Sequence, residues 1–249
     1  MSLSHSPKIV TNGLTMCIDA KNPKSYSGSG MNWNDVSGNG YYATKTGDGS
    51  YPIFNSSGYF DYSINSPATS GIWDGWGFLL NAGTIPTTGS FTIMATIKRN
   101  QNEKALGDRE TLLSNTGWAD GYRFGIFDSD LYVLIGGAGA VGYQEGGIGI
   151  NTPVADNKWH FVAVVVDRAA QLGSYKIYGY VDSVTASINI NAGAGGNIAF
   201  PDYSGFGPGT RGCCDSYAGA IGMMMTYNRA LTSTEIKQNF NAVRGRYGI

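Results

Sequence analysis

Apolar residues return at every second position along most of this chain, a period that fits strands and not long helices. In "SFTIMATIKR", Phe91, Ile93, Ala95 and Ile97 point one way while Thr92, Thr96 and Lys98 point the other, which predicts a strand with one buried face. "YRFGIFDSDLYVLIGG" reads as a hairpin, with Tyr122, Phe124, Leu131 and Val133 in its arms and Asp128, Ser129 and Asp130 at its turn. "KWHFVAVVVD" departs from the alternation, being apolar at consecutive positions, and so predicts a strand covered on both sides. "SYKIYGYVDS" alternates again, so residues 158–183 read as two long neighbouring strands joined at "RAAQLG". Glycine, 37 of 249 residues, suits the many turns such strands need. No repeat, linker or charge block divides the chain, and residues 1–249 read as one all-β domain.

Helical spacing is clear only at the end. Thr232 and Glu235 fit a capping box, with Leu231 and Ile236 as the apolar pair that brackets it. Ile236, Phe240 and Val243 then share one face and Gly245 suits the position just past the end, so a helix is expected over about 233–243. One short helix with a single apolar stripe is not stable alone in water, so it must dock on the strands.

A formal charge of −1 and a pI near 6.1, with no basic stripe, argue against nucleic acid as a partner. No apolar run is long enough to span a bilayer, and "MSLSHSPKIV" lacks the pattern of a cleaved export signal, so neither membrane nor secretion is expected. Cys17, Cys213 and Cys214 form no metal-ligand spacing and read as buried thiols, with a bridge from Cys17 to one of the pair as the alternative.

Several motifs carry a chemical reading beside a plainer one. "GAGAVG" at 137–142 matches the glycine spacing of a dinucleotide loop, but "YQEGGIGINTP" follows, and no helix can open there to receive a pyrophosphate. Glycoside hydrolysis needs two carboxylates facing one groove, and Glu103, Glu110, Glu145 and Glu235 lie in no such array. Asp128 and Asp130 sit at a predicted turn, and His160 lies in the strand expected to be buried; no catalytic residue is therefore assigned. In "WNDVSGNGYY", Asp35, Ser37 and Asn39 recur at alternate positions as in the first half of a calcium loop, while Thr46 stands where the closing Glu belongs. The same residues also make Asx turns without metal, so calcium is the one cofactor in question. Trp33, Trp73, Trp76 and Trp118 fall in loop-like segments. There Trp73, Trp76 and Trp118 either contact a sugar or protein partner or plug the ends of the sandwich.

Several segments together resemble the laminin-G-like, concanavalin A-like jelly-roll domains of bacteriophage structural proteins. They are the opening "IVTNGLTMCIDAKNPKSYSGSGMNWNDVSGNGYYAT", the central "SFTIMATIKR" and "TLLSN", the pair "KWHFVAVVVDRAAQLGSYKIYGYVDS", and the ending "YAGAIGMMMTYNRALTSTEIKQNFNAVRGRYGI". The resemblance implies a two-sheet antiparallel jelly-roll sandwich of about six or seven strands per sheet. Its first and last strands lie side by side, and the C-terminal helix packs across an edge or face. It further implies a non-enzymatic virion component of a tailed phage, a capsid decoration or tail-associated protein made in the host cytoplasm and partnered by other virion proteins. The alternative is a virion adhesin that binds host surface glycan. Arg244 and Arg246, beyond the apolar stripe, are the candidates for docking on a neighbouring subunit; the alternative for them is pairing within the chain, with a local Asp or the helix end.

Overall fold

The computed structural model describes residues 7–45, 52–62, 77–81, 84, 89–99, 109–114, 121–127, 130–136, 144–148, 150, 152–171, 174–182, 184–191 and 217–249. Among them the chain runs β1 (Leu14–Asp19), β2 (Asn32–Asn34), β3 (Tyr42–Lys45), β4 (Ile53–Asn55), β5 (Tyr59–Asp61), β6 (Phe78–Leu80), β7 (Phe91–Lys98), β8 (Arg109–Ser114), β9 (Gly121–Phe127), β10 (Asp130–Gly136), β11 (Gln144–Gly147), β12 (Trp159–Gln171), β13 (Ser174–Val181), β14 (Val184–Asn191), β15 (Ala220–Tyr227) and α1 (Ser233–Tyr247).

The strands form a sandwich of antiparallel sheets. One sheet has eight strands in the order β14-β13-β12-β7-β15-β5-β4, with β1 also paired to β15. The facing layer has seven described strands, as expected, paired in the orders β11-β10-β9-β8 and β2-β3-β6. First and last strands are neighbours as expected, with Cys17 opposite Met225 and Ile18 opposite Met224. The expected hairpin at 122–133 forms, with Leu131 opposite Ile126 and Val133 opposite Phe124. The link between β12 and β13 is tighter than expected: β12 runs on to Gln171, which pairs with Ser174.

Two apolar clusters lie on opposite faces of the eight-stranded sheet. Met224, Ala95 and Val162 are register partners across three strands and point inward, where they meet Trp33, Phe60, Phe78, Phe124 and Leu131. Met225, Met94 and Ala163, one residue further along each strand, point outward and pack with Phe161, Val165, Ile236, Phe240 and Val243. That second cluster explains why "HFVAVVV" is apolar on both faces: β12 is buried in the sandwich on one side and under α1 on the other. It also corrects the expectation for β7, because Thr92 and Thr96 on its outer face are fully buried rather than solvent-facing.

The helix starts as the sequence predicts. The Thr232 side chain accepts from the Glu235 amide at 3.3 Å, the Glu235 carboxylate accepts from the Thr232 amide at 2.9 Å, and Arg229 forks onto the same carboxylate at 2.9 and 2.6 Å. Its end differs from expectation. The helix passes through Gly245, which has open space around it, and stops at Gly248, whose φ of 71° is the left-handed cap that glycine adopts without strain. The extra turn is held by Tyr247, whose ring lies against Trp159 with centroids 5.0 Å apart. The ring can approach because β15 carries Gly222 beneath it, where a Cβ would meet the ring at 2.3 Å. Asn239 is the one polar member of the buried face. Its Oδ1 accepts from the Val10 amide at 2.8 Å and its Nδ2 donates to the Tyr227 hydroxyl at 3.1 Å, so burial leaves neither end of the carboxamide unpaired.

Candidate binding face

The segment that raised the calcium question is the turn between β2 and β3. Asp35 Oδ1 accepts from the amides of Cys17 and Ser37 at 2.7 and 2.8 Å, and Oδ2 accepts from the Ser37 hydroxyl at 2.6 Å and the Asn39 amide at 3.2 Å. Asn39 Nδ2 donates to the carbonyls of Leu14 and Thr15 at 3.0 and 2.9 Å. These bonds, Asx-type within the turn, spend the oxygens of Asp35 on three backbone amides and the Ser37 hydroxyl. They also fasten the turn to β1, which fixes where β2 and β3 lie. Among the described residues no group of three His, Cys, Asp or Glu side chains is placed to hold a metal.

Strand alternation then sorts the β2-β3-β6 residues. Trp33, Ala43 and Leu80 are register neighbours, and all three are buried in the sandwich core. Trp33, read as a loop residue, is thus a core residue packed against Phe60 and Phe78, with centroids at 4.6 and 5.5 Å. The positions between them point outward: Asn32, Asn34, Tyr42, Thr44, Leu79 and Asn81. Tyr42 is 40% exposed and Leu79 36%, both large apolar bodies left open to solvent. Thr44 Oγ1 donates to Asn32 Oδ1 at 3.0 Å and Asn81 Oδ1 accepts from the Tyr42 amide at 2.9 Å, so both carboxamides are held by their oxygens and their NH2 donors are not used by the described residues. No charged side chain stands at any of the six positions. Across the strands Tyr42 therefore lies between Asn34 and Asn81, and Thr44 between Asn32 and Leu79, an uncharged surface with one exposed ring. The stretches "NWN" and "YATK" carried the signal in their alternation, but nothing local ties either to residues 79–81.

Trp73, Trp76, Trp118, Cys213 and Cys214 lie outside the described residues, as do Asp128 and the 137–142 loop. Arg244 is exposed and lies over the Phe240 ring at 5.6 Å. Arg246 takes the intrachain alternative, with its guanidinium forked onto Asp19 at 2.6 and 3.0 Å, a buried carboxylate at the end of β1. Cys17 is a free thiol, buried in the helix-side cluster, and burial together with Asp19 and Asp35 pushes it up to about 12. Asp130, at the start of β10, accepts through Oδ1 from the neighbouring Leu131 amide at 2.8 Å and from the distant Ile150 amide at 3.3 Å, so its bonding is only in part the local kind expected of a turn. Glu110 is fully buried, paired with Arg99 and accepting from the Ala218 amide at 3.0 Å, an interior tie rather than a groove carboxylate. His160, 7% exposed, has Asp182 at 2.9 Å from Nδ1 and Asp156 at 2.9 Å from Nε2. Burial opposes its charge, but the bonds to the two carboxylates outweigh that and raise its pKa. It is a structural clamp between the start of β12 and the end of β13.

A laminin-G-type family model, described as the concanavalin A-like lectin/glucanases superfamily, matches residues 74–237. The chain belongs to that superfamily. No curated protein sequence matches it. Among solved structures it is similar to the receptor binding domain of botulinum neurotoxin C/D mosaic serotype, with a TM-score of 0.62 and 11% identity over 93% of this chain and 51% of that one. The binding domain of botulinum neurotoxin serotype D in complex with N-acetylneuraminic acid gives 0.60 and 13%, over 93% and 51%. The binding domain of Paraclostridial Mosquitocidal Protein 1 gives 0.56 and 16%, over 93% and 52%. The chain therefore spans about half the length of the domains it resembles. At these identities the likeness is one of fold.

Proposed function

We propose that this chain is a non-catalytic recognition module, carried on a phage virion, which lays a neutral glycan of the host surface on the outer face of β2, β3 and β6. The observation that carries this reading is the exposed Tyr42 ring, flanked across the strands by the carboxamides of Asn34 and Asn81, with Asn32 and Leu79 one row along on the same face. A pyranose has apolar C–H faces and a rim of hydroxyls that both donate and accept. An aromatic ring suits the first and fixed amide groups suit the second. The absence of charge from these six positions favours neutral sugars, since a charged ligand would give up hydration without gaining a partner. The similar toxin domains are binding domains by name, and one is in complex with N-acetylneuraminic acid, which supports recognition as the role of such a sandwich. The virion setting rests on the opening and closing segments that resemble phage structural proteins. Those same segments favour a second reading, a capsid or tail component whose only partners are other virion proteins.

A glycan array probed with the whole chain tests the proposal. Retention on neutral bacterial polysaccharides, reduced at least tenfold by Tyr42→Ala, is expected, with no new reducing ends released on incubation. Equal retention of wild type and Tyr42→Ala, or no retention on any glycan, would remove this face from sugar binding and leave the second reading. A density map of purified particles then checks the virion setting by the presence or absence of the chain.

A further inference from the structure

We propose a second saccharide site in the cleft between residues 20–28 and the β4–β5 turn, one that takes a single neutral pyranose. The inference rests on the glycan-recognition reading but uses different residues. The cleft holds about 390 Å³, within the range of roughly 300–1,000 Å³ usual for small-molecule sites. It opens on the side of the sandwich where β4 and β2 are the last strands of their sheets.

Its wall is aromatic. The half-buried ring of Phe54 faces the cleft, backed by Tyr26 with centroids 4.9 Å apart. Tyr26 is itself buried, packed edge-on to Phe60 at 4.8 Å and tied by its hydroxyl to the Gly30 carbonyl at 3.0 Å. Phe54 is thus a pre-positioned platform, which lowers the entropy lost on stacking. The rim is made of hydroxyls, those of Ser27, Ser56 and Ser57, all on exposed residues. The hydroxyls of Ser56 and Ser57 make no hydrogen bond with the described residues, whereas Ser27 reaches only the Ser29 carbonyl at 3.4 Å. Lys21 is the one charged residue in the lining, and its ammonium turns away to the Arg246 carbonyl and the Tyr247 ring, 4.3 Å from its centroid. An apolar platform, free hydroxyls and no available charge match a neutral sugar ring and disfavour an acidic one, whose carboxylate would find no counter-charge.

The test is amide-resolved NMR of the full chain, titrated separately with methyl α-glucopyranoside, methyl β-galactopyranoside, N-acetylglucosamine and N-acetylneuraminic acid. At least one neutral sugar is expected to shift the amides of residues 20–28 and 54–58. Ser57→Trp, which fills the cleft from an exposed position, should weaken that sugar at least tenfold, while Tyr42→Ala changes it less than twofold. A Ser57→Trp spectrum unchanged away from the cleft shows that the fold is intact. Shifts confined to residues 32–34, 42–44 and 79–81, untouched by Ser57→Trp, would overturn the cleft and leave the proposed function standing. No shift with any of the four probes, while wild type is retained on a polysaccharide, would also overturn the cleft alone. Absence of both would overturn the two readings together, and binding of N-acetylneuraminic acid alone in the cleft would overturn its neutral specificity.

Discussion

The helix-covered face of the eight-stranded sheet and the open face of the three-stranded sheet are both outer faces of the same sandwich, and they are written differently. On β7, β12 and β15 the outward residues include Met94, Phe161, Ala163, Val165, Met223 and Met225 beside the buried Thr92 and Thr96, a mostly apolar surface that water would penalise and that α1 covers. On β2, β3 and β6 the outward residues are carboxamides, a threonine, one tyrosine and one leucine, and no described element covers them. An outer face that is apolar along consecutive strands is a docking surface for the chain's own helix. One that keeps polar groups around a single exposed ring is the face proposed for a partner outside the chain.

The comparison predicts opposite responses to truncation. The largest effect is expected at Phe240, whose ring lies 5.7 Å from that of Phe161: Phe240→Ala should cost about 3 kcal/mol or more in denaturant unfolding. A cost below about 1 kcal/mol would mean that the helix is a loose cover and not part of the core. Next comes Arg246→Ala, which strips two charge-assisted bonds from the buried Asp19 and should cost about 1–3 kcal/mol. Arg244→Ala should change stability by less than about 0.5 kcal/mol, so equal effects of the two substitutions would break the assignment of Arg246 to the fold.

The dependence on pH comes third and has two limbs. Arg229 holds Glu235 at about 2 against an ordinary 4.5, a depressed carboxylate whose stabilisation is present above about pH 4.5 and lost as pH falls toward 2. His160 is raised above 6.5, so its contribution is full below that value and lost as pH climbs through the raised one. Unfolding curves of Glu235→Gln and His160→Gln should flatten the acid and the alkaline limb respectively, and a limb that persists in its variant removes that clamp from the account. The smallest stability effects are expected on the open face, where Tyr42→Ala and Asn34→Ala should each stay within about 0.5 kcal/mol.

How much of this was legible in the sequence follows the same division. The two-sided burial of β12 was visible in "HFVAVVV", and the helix start was visible because a capping box is local: Thr232 and Glu235 are three residues apart. Its end was misplaced at Gly245 because what carries the last turn is not local; Tyr247 rests on Trp159 and Gly222, and Arg246 reaches Asp19. Thr92 and Thr96 looked solvent-facing for a similar reason, since the cover over β7 comes from residues more than 130 positions away. Trp33 reads as a loop residue because its strand is only three residues long, flanked by glycine- and serine-rich turns that mask its alternation. The candidate binding face is the least legible part. It joins residues from 32–34, 42–44 and 79–81, and only the pairing of β3 with both β2 and β6 brings them onto one surface.

The central claim is that the open β2-β3-β6 face is kept for binding and not for folding. Retention of wild type and Tyr42→Ala on neutral bacterial polysaccharide, measured beside their denaturant midpoints, tests it most directly. The account predicts matching midpoints and at least a tenfold loss of retention in the variant. A variant that unfolds markedly earlier yet binds as wild type does would show that Tyr42 serves the fold, and would contradict the division between the two faces.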